Sequence, residues 1–296
     1  MDFSRTSNKI ADTTDLSDAF AQLLDKTIAE HAEAEYAKGR GSGVGEVAKK
    51  RIGAGYIGTE CTRELAYRFH KYQKEPFDPE RGFVNPGELN RHAQVGHWTE
   101  EKMTEWMQMS GFNLAVQREN GRQFNFLTAH DPESGQAQLA GEVDGVISAP
   151  FPAKVQPYIP ADCDVMLWES KKATAKKYNK FKKEGVKKAG AVYYAQMQTC
   201  MAYMNVKYCL FTMMNMDNMK IYPEIVAFDA SAAQELTDRA VRVIRSDNPQ
   251  EFPRIAREET DFRCRFCDYW NQCWADTRQV TAAPHGDVMS KPAWME

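Results

Sequence analysis

Two carboxylates and one ammonium group stand in a pattern that could grip a divalent ion. Asp144 lies in Gly141-Glu142-Val143-Asp144-Gly145-Val146, and Glu169 and Lys171 lie in Leu167-Trp168-Glu169-Ser170-Lys171. Residues two apart in a strand point to the same side, so a strand ending here puts Glu169 and Lys171 on one face, roughly 6.5–7 Å apart. On an exposed strand they would be unremarkable surface charges. The run Val165-Met166-Leu167-Trp168 is continuously apolar, however, which marks a strand buried on both faces. Closing such a strand with an acid and a lysine is costly unless an ion meets them. The chemistry that suits the set is metal-assisted phosphodiester hydrolysis. Asp144 and Glu169 supply hard oxygen ligands for Mg²⁺ or Mn²⁺, and the Ser170 carbonyl could add a third. The ion activates water, and Lys171 orients that water or offsets the developing negative charge.

Other residues could join this set. His97 and Glu100, in Gly96-His97-Trp98-Thr99-Glu100, are three apart on one face of an expected helix. Glu100 reads either as a solvated helix acid beside Glu101 or as a further metal ligand. Gln196, Cys200 and Tyr203 share one side of a later helix, where a buried glutamine needs a polar partner. Cys264, Cys267 and Cys273 form C-x2-C-x5-C, and Cys61 is the best candidate for a fourth thiolate. Four cysteines suit Zn²⁺ or a [4Fe–4S] cluster, and either would clip the C-terminal tail onto the N-terminal region. Cys163, Cys200 and Cys209 read as small buried side chains.

Charge is concentrated. Residues 171–188 carry nine lysines and one acid, in a 296-residue chain whose net charge is only −3. Lys172, Lys176, Lys180, Lys183 and Lys187 would form one stripe on a helix. A solvated face is the ordinary reading of such a run, but like charges this dense repel one another, and a polyphosphate backbone would relieve that cost. A hydrophobic content of 43% and a charged content of 27% argue against disorder and fibrous repeats. No stretch reaches the roughly 20 apolar residues of a membrane span. The opening Met-Asp-Phe-Ser-Arg-Thr-Ser lacks an apolar leader core, so a cytoplasmic location is expected, which also disfavours disulfides.

The elements that must position these groups follow from periodicity and turn chemistry. Helices are expected over 15–38, 60–72, 91–109, 189–204 and 231–245. Strands are expected over 123–130, 138–147, 165–169, 208–215 and 220–228, with a loop over 75–90 and an irregular tail from 249. Residues 1–50 read as a helical appendage with a Gly-rich linker, 51–275 as the main domain with its cysteines, and 276–296 as a tail. The alternation of helices and strands implies α/β with a mixed sheet.

In order along the chain stand G-x3-E, G-x-x-D, E-x-K, Q-x-Q and C-x2-C-x5-C, with a lone cysteine far upstream. Over residues 57–274 this series resembles the RecB-type branch of the PD-(D/E)xK nucleases. It is similar to the iron–sulfur CRISPR-associated adaptation nucleases and to phage exonucleases of the lambda type. The resemblance implies a restriction-endonuclease-like mixed sheet flanked by helices. It also implies Asp144 and Glu169 as metal-binding acids, Lys171 as the catalytic lysine, Glu100 and His97 as further Mg²⁺ or Mn²⁺ ligands from the helix, and Gln196 as the motif glutamine. Cys61, Cys264, Cys267 and Cys273 become cluster ligands, which favours [4Fe–4S] over zinc. Val143 departs from the proline of the motif, the loop between Asp144 and Glu169 is long and proline-rich, and Cys200 replaces a frequent tyrosine. The expected activity is a Mg²⁺- or Mn²⁺-dependent DNA exonuclease on ends or single strands, with Lys172–Lys187 holding the backbone and Trp270 or Trp274 stacking on a base. If phage-encoded it would act in the host cytoplasm. Recombinase, helicase or single-strand-binding partners and a homo-oligomer are compatible with it. A non-catalytic DNA-binding module of the same fold is the alternative. A redox protein would leave the acids and the lysine run unexplained.

Overall fold

The structure, a computed structural model, describes residues 13–37, 50–75 and 85–276. It comprises two compact units, Met1–Val47 with Phe77–Val95, and Ala48–Pro76 with Gly96–Glu296. In the first, α1 (Thr13–Ala37) meets the opening of α4 (Pro86–Met109). The Arg91 guanidinium pairs with Asp25, and Gly87 lies against the Asp25 backbone where a side chain would collide.

The second unit holds two sheets. Strands β1 (Ile52–Gly53), β3 (Asn125–His130) and β4 (Ala137–Glu142) make a three-stranded sheet of order β1-β4-β3. Strands β2 (Asn113–Ala115), β5 (Gly145–Ser148), β6 (Val165–Ala173), β7 (Tyr208–Asn215) and β8 (Ile221–Ala227) form the larger sheet in the order β2-β5-β6-β7-β8. Its central pair β6–β7 is parallel and the other pairings are antiparallel, so the sheet is mixed. Two helices connect β6 to β7, α5 (Ala175–Ala189) and α6 (Ala191–Met204), as a parallel crossover requires.

Alternation along the strands fills two cores. Leu167, Phe211, Met213 and Val226 face α5, α6 and α7 (Ala230–Arg245). Met166, Trp168, Leu210 and Met214 face the opposite side, where Met103 and Met107 of α4 pack. Met166, Leu167 and Trp168 are at most 1% exposed, the double-sided burial that their apolar run predicts. The short helices α2 (Ala54–Ile57) and α3 (Thr62–Phe69) join this unit at its start, and α8 (Phe262–Arg265) and α9 (Trp270–Ala275) at its end. Arg239 of α7 is 2% exposed, and its guanidinium donates to the carbonyls of Ile57 (2.7 Å) and Thr59 and to the Thr62 hydroxyl (3.0 Å).

Three sequence expectations need correction. The single strand expected over 138–147 is two strands in different sheets, with the chain turning at Val143-Asp144. Flanking glycines permit that turn. A Cβ on Gly141 would strike Phe126, and one on Gly145 would come within 2.7 Å of Leu114 and 3.1 Å of Trp168. The helix starting at Arg91 begins instead at Pro86, where proline's fixed φ suits a first turn. Lys172 belongs to no helical stripe, because β6 runs on to Ala173 and α5 starts at Ala175. The stripe also breaks at Gly185, whose φ of 74° interrupts the helix before Lys187.

Candidate active site

Asp144 sits at the joint between the sheets, and Glu169 and Lys171 at the C-terminal part of β6 beside it. The backbone N–H of Ser170 donates to Asp144 Oδ2 at 2.7 Å, tying the joint to β6. Lys171 Nζ pairs with Glu169 Oε1, donates to the Ser170 carbonyl at 3.0 Å and lies 3.8 Å from Asp144 Oδ2. The side chain of Glu169 is 2% exposed, whereas those of Asp144 and Lys171 are 15% and 24% exposed and open toward solvent. Gln196 of α6 donates from Nε2 to Glu169 Oε1 at 2.8 Å, so the glutamine whose polarity demanded a partner finds it on the catalytic candidate.

Glu100 approaches from α4. Burial and, next, the charge of Asp144 push its carboxyl up to about 7, with Lys171 opposing both. Burial also pushes Glu169 up, offset by Lys171, while the Asp144 and Glu100 charges add to the rise. Lys171 is held above the ordinary lysine range: burial alone would lower it, but the Glu169 and Asp144 carboxylates outweigh that. Three carboxylates thus share one lysine. Fully ionised, the group carries a net charge of −2, which a divalent cation would balance. His97 lies one helical turn before Glu100 and is exposed. Among the described residues no hydrogen bond or ion pair links His97 to these acids.

Among the described residues no three His, Cys, Asp or Glu side chains converge tightly enough to hold an ion by themselves. The oxygen donors of Asp144 and Glu169 still fit Mg²⁺ or Mn²⁺, since Mg²⁺ usually takes one or two carboxylates and completes its shell with water and phosphate. The four cysteines likewise form no such group, although they share a cavity. Cys61, Cys264, Cys267 and Cys273 all line one cavity of about 20 Å³. Burial pushes Cys61 up to about 12 and Cys264 to about 11. The N-terminal and C-terminal segments meet here through side chains and one backbone hydrogen bond. Arg63 pairs with Asp276 at 2.8 Å in the interior, Arg68 and Lys74 pair with Asp268, and the Glu75 N–H donates to the Asp268 carbonyl at 2.8 Å.

The lysines lie along α5 and the end of β6. Lys176, Lys180, Lys183 and Lys187 are exposed, while Lys172 is partly buried, with its Cε 3.7 Å from where a Cβ on Gly96 would stand. Lys187 is spoken for, because it lies 3.7 Å from Asp229. Sequence reasoning did not anticipate Tyr193, whose hydroxyl accepts from Lys177 Nζ at 2.8 Å. Its signal was its place one helical turn before Gln196.

No protein-family model matches the chain, and no curated protein matches it. Solved structures similar to it include an alkaline exonuclease from Laribacter hongkongensis, at 16% identity and a TM-score of 0.41, covering 66% of this chain and 86% of that one. A phage-related exonuclease from Haemophilus somnus 129PT is similar at 14% identity and a TM-score of 0.39, covering 65% of this chain and 91% of that one. These values are too low to carry an argument about this chain, whose site is read from its own geometry.

Proposed function

We propose that the chain is a metal-dependent deoxyribonuclease of the PD-(D/E)xK type, RecB-type branch, acting as an exonuclease on DNA ends or single strands. The observation that supports it most is the meeting of Asp144, Glu169 and Lys171 around one partly open site, with Glu100 close enough to interact with all three. Asp144 and Glu169 would hold Mg²⁺ or Mn²⁺, with Glu100 as a further acid toward it. The ion, when bound, would supply an activated water and offset charge on the phosphate. Ser170 N–H keeps the Asp144 carboxylate aimed at the site, and Gln196 keeps Glu169. Lys171, kept protonated by its acidic neighbours, would neutralise charge building on the phosphate oxygens. Lys172, Lys176, Lys180 and Lys183 would hold the backbone through release of its counterions. Lys187 has a smaller part, given its pairing with Asp229.

The thiols of Cys61, Cys264, Cys267 and Cys273 would hold a [4Fe–4S] cluster, with Zn²⁺ as the other occupant that four cysteines suit. Their common cavity favours that assignment, although among the described residues the thiols do not converge on one point. Anaerobic purification followed by iron and zinc determination separates the two metals, and a protein with neither refutes the assignment. The nuclease reading is tested with end-labelled single- and double-stranded DNA in Mg²⁺, Mn²⁺ or EDTA, comparing the wild type with Lys171→Ala. Metal-dependent loss of label in the wild type alone is expected. Equal degradation by both proteins refutes the catalytic assignment.

A further inference from the structure

We infer that Tyr193 is a positioning residue that couples the lysine-rich helix to Lys171, so that the substrate strand is held in register with the site. The inference rests on the nuclease reading and adds the device that links backbone binding to cleavage. Two ammonium groups share the Tyr193 side chain. Lys177 Nζ donates to its hydroxyl at 2.8 Å and stands 4.7 Å from the ring centroid, and Lys171 Nζ stands 5.7 Å from the same centroid. Both distances lie within the roughly 6 Å over which a ring face attracts a cation.

The core fixes the ring. Phe211, fully buried and paired with Glu169 across β6–β7, stacks on it at 6.0 Å and 30°. Phe181, also fully buried, lies 6.1 Å away on α5. Gly190, between the two helices, leaves no room for a side chain, since an added Cβ would meet Phe181 and come within 3.1 Å of the tyrosine ring. One turn along α6, Gln196 holds Glu169. A single helix face therefore presents a ring to the lysine and an amide to the carboxylate. The two groups arrange the Lys171–Glu169 pair from behind, leaving its front to the substrate. Lys177 is exposed, so a phosphate of the strand can engage it, and its bond to Tyr193 relates that phosphate to Lys171. The ligand class is the phosphodiester backbone of the strand being cut, at a phosphate next to the scissile one.

The test uses the full chain with Tyr193→Phe, Tyr193→Leu, Lys177→Ala and the Lys177→Ala/Tyr193→Phe double variant. Cleavage in Mg²⁺ and DNA binding in EDTA are both measured, and thermal unfolding checks that each variant folds. Tyr193→Leu should lower kcat by roughly tenfold, the scale of a single ring–cation attraction, and Tyr193→Phe should restore most of that loss. Lys177→Ala and Tyr193→Phe should each weaken DNA binding by about threefold, and the double variant no more than the worse single, because both break the same hydrogen bond. A merely structural tyrosine would move the unfolding midpoint without this split. Should Tyr193→Leu keep wild-type kcat while Lys171→Ala is inactive, or should the two binding defects multiply, the coupling is refuted and the nuclease reading survives. Should the wild type itself fail to cleave, the nuclease reading and the Lys171 half fall together, and the Lys177 half is still decided by the binding cycle.

Discussion

Replacing Gln196 with alanine should weaken metal use without unfolding the protein. Glu169 is almost wholly withdrawn from water, and its Oε1 receives Lys171 and, at 2.8 Å, the Gln196 amide. Hydrogen bonds to a charged group contribute about 1.5–3 kcal/mol. If that energy goes into orienting Glu169 toward an ion, its loss corresponds to roughly a 10–150-fold rise in the Mg²⁺ needed for half-maximal cleavage. Excess Mg²⁺ should restore much of the rate. The neighbouring Gln198 is the control. It is fully buried, donates to the Ala227 carbonyl at 2.9 Å and accepts from Asp229 N–H at 2.7 Å, away from the acids. Gln198→Ala should therefore lower the urea midpoint and leave the Mg²⁺ requirement alone. An unchanged Mg²⁺ curve for Gln196→Ala, or the same shift for Gln198→Ala, would show that the amide does not serve the metal site.

Removing the exposed Lys180 and Lys183 should cut the slope of log affinity against log salt by roughly one for each phosphate no longer neutralised, measured by DNA binding in EDTA across a salt series. Arg239→Ala should destabilise the fold by about 3–5 kcal/mol, since it strips the donors from two carbonyls and a threonine hydroxyl in the interior; urea unfolding reads it, and a change below about 1 kcal/mol would refute the account. His70, bonded to Ser246 Oγ at 3.0 Å, has its pKa lowered chiefly by burial and next by Lys50. The unfolded chain therefore binds its proton more readily, so stability is full above pH ~6.5 and declines as pH falls toward the folded value. His70→Gln should flatten that decline in unfolding midpoints taken from about pH 8 to about pH 5.

The site was legible where local chemistry decides structure. The apolar run ahead of Glu169 marked a doubly buried strand, and strand alternation then put Glu169 and Lys171 on one face. Gln196 read as an amide that would need a partner if buried and mean nothing at the surface; it is half-buried and bonds Glu169. The break between β4 and β5 was harder to see, because residues 138–147 alternate as one strand would, and only packing of Gly141 on Phe126 and Gly145 on Trp168 makes the corner. The lysine stripe failed at both ends for related reasons. Sheet pairing carries β6 through Lys172, which pairs with Met214 of β7, and a glycine at positive φ ends the first part of α5. The Lys177–Tyr193 bond joins side chains 16 positions apart, beyond the reach of helical periodicity.

The Arg63–Asp276 pair bears on where this protein can be shortened. Its guanidinium has no solvent exposure, and its carboxylate belongs to the residue that closes α9. A product ending at Ala275 would take that counter-charge from a buried guanidinium on helix α3, next to the cysteine cavity. A protease that cuts just before residue 276 should therefore loosen α3, more than 200 positions away in the sequence, first.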